Sequence, residues 1–74
     1  MMRTAATSDI QPAALEQLMR RVQAEYAEMP GLSMTLAQAQ RLLALDRRIC
    51  GTVFGVLVSR GVLRRTAQGR YLRA

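Results

Sequence analysis

The sequence predicts a small α+β fold, mainly helical: three helices and a C-terminal β-hairpin, with room for a short strand at 32–34. Three observations predict it. Thr35 and Asp46, both good N-caps, each precede a run of apolar residues at helical spacing. A long apolar stripe from Leu15 to Met29 closes at Pro30-Gly31. Two short runs, 62–65 and 70–73, flank a loop that ends in Gly69.

The elements follow in order. Residues 1–10 read as a flexible N-terminus and 11–74 as one folded domain. Pro12 is tolerated in a first helical turn, so the first helix begins near Gln11. Its apolar face is Leu15, Leu18, Met19, Val22, Tyr26 and Met29, which serves as core or as a dimer interface. The second helix starts at Thr35. Gln38 stands three residues on, so the pair can form a capping box that satisfies two orphaned N–H groups. Leu36, Ala39, Leu42 and Leu43 form its apolar pattern. The third helix is capped by Asp46, whose charge also suits a helix N-terminus. Cys50, Val53, Phe54 and Leu57 lie on its inward stripe, and Gly61 stops it. After Gly61, Gly69 can supply the positive φ of a hairpin loop. A two-stranded hairpin is marginal alone, so a third strand near 32–34 would support it.

Helix, short turn (Ala44-Leu45-Asp46), helix is a helix-turn-helix, whose second helix commonly enters the DNA major groove. Charge placement agrees. Residues 1–40 hold three arginines against four acids; residues 41–74 hold eight arginines against Asp46 alone. The halves therefore carry −1 and +7, and a basic half suggests a polyanion-binding face. All basic residues are Arg, which suits bidentate contact to phosphate or guanine. The plain alternative is a GC-rich genome, which explains the lack of Lys but not where the charge lies.

The ordered set resembles the winged helix-turn-helix transcriptional regulators, including multiple-antibiotic-resistance-type repressors, over residues 12–73. The carrying features are Ala39, the Ala44-Leu45-Asp46 turn and the inward Cys50, Val53 and Leu57. The exit Leu57 to Leu63 and the return strand at Arg70-Tyr71 add to it. The segment EMPGLSMTLAQAQRL is also similar to small bacterial proteins of this architecture. The resemblance implies double-stranded DNA as partner, a homodimer, and a cytoplasmic, nucleoid-associated regulator. Full repressors of that type carry further dimerisation helices and a ligand domain that this sequence lacks, and no small-molecule ligand is evident.

With the apolar stripe inward, Arg47, Arg48, Gly51, Thr52 and Gly55 face outward. The resemblance makes Arg47, Arg48 and Thr52 the candidates for base edges or nearby phosphates. Gly51 and Gly55 either allow close approach of a partner or are merely tolerated, at about 1 kcal/mol each. Ile49 would touch DNA methyls or pack on another subunit. Arg64, Arg65 and Arg70 of the hairpin would reach phosphates or a minor groove. Arg41 and Arg73 are secondary candidates.

Other classes have little support. There is no His and one Cys, so the usual zinc site cannot be built, and no cofactor is expected. No carboxylate pair has acid–base spacing and no Gly-rich loop cradles a phosphate, so the chain does not read as an enzyme. The lone Cys50 excludes an internal disulfide and fits a reducing compartment. There is neither a membrane span nor a secretory signal. The alternative to DNA binding is a winged-helix adaptor or inhibitor of a nucleic-acid enzyme. Ile49, Val56 and Met34, apolar residues without an obvious core slot, favour it.

Overall fold

The computed structural model describes residues 11–74; the N-terminal segment 1–10 lies outside the described residues. The elements are α1 (Pro12–Glu28), β1 (Met34–Thr35), α2 (Leu36–Leu43), α3 (Arg47–Ser59), β2 (Leu63–Arg65) and β3 (Arg70–Arg73). The three strands form an antiparallel sheet in the order β1-β3-β2, so the last strand is the central one.

Local chemistry sets the boundaries. Thr35 Oγ1 accepts from the Gln38 N–H at 3.2 Å, and Gln38 Oε1 accepts from the Thr35 N–H at 2.9 Å. The capping box is complete, and the same Thr35 also belongs to β1. The strand therefore sits at 34–35, where a sequence reading places it at 32–34. Asp46 Oδ1 accepts from the Ile49 N–H at 2.8 Å and caps α3. Between these helices Ala44 adopts a left-handed φ of 55°, and the Leu45 N–H closes onto the Gln40 carbonyl. The end of α3 is a Schellman motif. Gly61, at φ 77°, donates to the Val58 carbonyl at 3.0 Å, and Val62 donates to that of Leu57 at 2.9 Å. In the hairpin loop Gly69 has φ 78°, and Thr66 Oγ1 accepts from the N–H groups of Gln68 and Arg70.

One core collects every element. Met19, Val22 and Tyr26 come from α1, Ala39 and Leu43 from α2, and Cys50, Val53, Phe54 and Leu57 from α3. Met34, Leu63 and Tyr71 come from the sheet. Phe54 meets Tyr71 edge-to-face, with centroids 5.2 Å apart. Three apolar residues depart from the periodic reading. Leu42 and Met29, expected on apolar faces, are 47% and 48% exposed. Met34, which had no evident core slot, is buried. Among the described residues no helix is long and apolar enough to cross a membrane.

Candidate nucleic-acid interface

The start of α3 faces a groove. Arg47, Arg48, Gly51 and Thr52 line it on one side and Leu36 of α2 on the other, around a volume of about 550 Å³. The turn through Ala44 brings α2 and α3 together here, and the Cys50 thiol lies 3.9 Å from the Leu36 carbonyl. Arg47, Arg48 and Thr52 are exposed; Cys50 behind them is fully buried. Burial pushes the Cys50 thiol pKa up, with the Asp46 carboxylate adding to it, so the thiol stays protonated and inert at neutral pH.

A second groove lies further along α3. Val58, Leu63, Arg64, Arg65, Thr66 and Ala67 line it. Gly51 and Val58 are seven residues apart, which places them on one helix face about 10 Å apart. The two grooves therefore follow one another along the same flank of α3.

Strand register sorts the hairpin arginines. Opposite residues share a face of a sheet, and Arg64 pairs with Leu72 while Arg65 pairs with Tyr71. Arg64, Arg70 and Leu72 thus stand on the outer face. Arg65 and Arg73 stand on the face that carries Leu63 and Tyr71. Arg70 pairs with Thr35 across the sheet, and its Nη1 donates to Gln38 Oε1 at 3.4 Å. That places Arg70 beside the start of α2, one residue from Leu36.

Two secondary candidates fare differently. Arg73 lines a third cavity, of about 260 Å³, with Gln23, Tyr26 and Ala27 of α1; Leu63 separates it from the second α3 groove, and Arg73 lines neither α3 groove. Arg41 is exposed in the last turn of α2 and lines neither α3 groove. Among the described residues, the one ion pair joins Arg60 to Glu16 at 3.2 Å. Among the described residues, therefore, every candidate arginine lacks an acidic partner within 4 Å. Asp46, the acid nearest in sequence, is engaged as the α3 cap.

Ile49 and Val56 pack against the core, and Met34 is part of it. Leu36 enters as a groove wall, which sequence reading missed. Its role depends on how α2 crosses α3, and no local pattern encodes that. Among the described residues no group of three or more His, Cys, Asp or Glu is placed to hold a metal ion. Searches of family models, curated proteins and solved structures gave no match to this chain.

Proposed function

We propose that this protein binds double-stranded DNA as a small winged helix-turn-helix regulator, with α3 in the major groove and the hairpin on flanking phosphates. The observation that carries the proposal is a set of arginines with no acidic partner among the described residues: Arg47 and Arg48 line the first groove, and Arg64 and Arg65, from opposite faces of the sheet, both line the second. Phosphate is the natural counter-charge for such a set, and guanidinium groups match it bidentately. Thr52 and the arginines at the start of α3 supply the base-reading chemistry. The order of helices and strands is compatible with a winged helix. The setting proposed is the cytoplasm, at the nucleoid.

The adaptor alternative has lost the residues that spoke for it, since Met34, Ile49 and Val56 belong to or pack on the core. A homodimer remains part of the proposal, with a constraint. Met19, Val22 and Tyr26 are consumed by the monomer's own core, so that part of the apolar face of α1 is not free for a second copy. Two copies would have to place their Arg47/Arg48 pairs about 34 Å apart to reach successive major grooves.

The test is a fluorescence anisotropy titration of a short labelled duplex at low salt. Wild-type protein binds, and the folded double variant Arg47→Glu/Arg48→Glu loses about 1–3 kcal/mol per reversed contact. Equal affinity of the two proteins would remove α3 from the interface.

A further inference from the structure

Among the described residues, two arginines donate to another side chain, and their partners differ in charge. Arg60 meets the Glu16 carboxylate at 3.2 Å, so its charge is already paired. Arg70 Nη1 donates to the Gln38 amide oxygen at 3.4 Å. A neutral amide orients a guanidinium without cancelling its charge. Gln38 is itself fixed. Its Oε1 also accepts from the Thr35 N–H at 2.9 Å within the capping box, so both neighbours of that oxygen are donors and the amide has one orientation. The Arg70 backbone is fixed on both sides. It stands opposite Thr35 in the β1–β3 pair, its N–H donates to Thr66 Oγ1 at 3.2 Å, and its carbonyl accepts from the Thr66 N–H at 2.8 Å. Arg70 is partly buried, whereas Arg47, Arg48, Arg64 and Arg65 are exposed.

We propose that Gln38 is a positioning residue for DNA binding: it holds the Arg70 guanidinium, still charged and with its remaining N–H donors left over, for a duplex phosphate. The inference rests on the DNA-binding proposal and adds a residue that itself carries no charge. A free arginine side chain must be ordered when it meets phosphate. One already held by an amide has lost part of that freedom in the unbound protein, which recovers about 2- to 10-fold in affinity. The contact also joins α2 to the central strand of the sheet, so the hairpin's charge is set relative to the helix-turn-helix before DNA arrives.

The test is a double-mutant cycle, read by fluorescence anisotropy on one labelled duplex at low salt, with each fold checked by circular dichroism. Gln38→Ala should weaken binding about 2- to 10-fold in the wild-type background and change nothing in the Arg70→Ala background. In an Arg64→Ala background, where Arg70 remains, it should cost the same factor as in wild type. Damage to the capping box alone would act in every background alike, so it cannot produce this pattern. Gln38→Glu keeps a capping-box residue but turns the contact into an ion pair. Its slope of log affinity against log salt should therefore fall in magnitude by about 0.9, as in Arg70→Ala. An equal loss from Gln38→Ala with and without Arg70, or no loss in the wild-type background, would overturn the proposal. If Gln38→Ala fails to fold, the Gln38→Glu slope decides, and a wild-type slope overturns it. These outcomes leave DNA binding intact; a wild-type protein that binds no duplex at low salt would remove the DNA-binding proposal and this one with it.

Discussion

The Tyr26 hydroxyl donates to the Tyr71 carbonyl oxygen at 2.6 Å, across 45 positions of sequence. This bond ties α1 to β3, the central strand, and both residues are buried. Removing it takes one hydrogen bond from a carbonyl of a buried residue in the central strand, which costs about 1 kcal/mol. Tyr26→Phe should lower stability by that amount in denaturant titrations. An unchanged midpoint would show that the bond contributes nothing net.

The same residue sets an alkaline limit. Burial, with a smaller contribution from Cys50, pushes the Tyr26 hydroxyl up to about 12. The folded value lies above the ordinary phenol value near 10. The protonated hydroxyl thus contributes fully below pH 10, and the contribution is lost as pH rises towards 12. Two units correspond to about 3 kcal/mol. The raised Cys50 thiol acts in the same direction, starting from the lower thiol range. In a Cys50→Ala background, stability should fall through pH 10–12, and adding Tyr26→Phe should flatten that fall. A parallel fall in both proteins would assign it elsewhere.

Gly51 trades stability for access. It lies inside α3, where glycine costs about 1 kcal/mol relative to alanine. The fold does not require it there, since a Cβ meets nothing within 4 Å. Gly51→Ala should raise stability by about 1 kcal/mol and weaken duplex binding. A stabilised variant with unchanged affinity would mean that the glycine is merely tolerated.

Much of this was legible in the sequence, for reasons that differ by residue. Thr35, Gln38 and Asp46 act within three positions of themselves, so their spacing alone predicts the caps. The inward stripe of α3 follows from the helical period. Met34 was not legible, because a two-residue strand is too short to show a period. Its burial comes from pairing with Tyr71, 37 positions later. The sorting of Arg64 and Arg70 from Arg65 and Arg73 has the same origin. A register shift of one residue would exchange their faces, and register is a long-range property here. Leu42 is exposed because it lies about 100° around α2 from the buried Leu43, and Met29 is exposed just past the last residue of α1.

The two grooves predict a division of labour. Arg48→Ala should change which sequences are preferred, at about 1–3 kcal/mol for the base it reads. Arg64→Ala, on the outer face of the sheet, should weaken all sequences alike. Parallel selections from a random duplex pool with each variant check this. Identical consensus sequences from both would contradict it.

The arginines of α3 and the hairpin, without an acidic partner among the described residues, are proposed to neutralise DNA phosphates. The most direct measurement is duplex affinity against salt concentration, for wild type and for Arg64→Ala/Arg65→Ala. With about five phosphates neutralised per chain, log affinity should fall against log salt with a slope of about −4.5, and the double variant should lose about 2 from that magnitude. A slope near zero, or one that the double variant leaves unchanged, would contradict the claim.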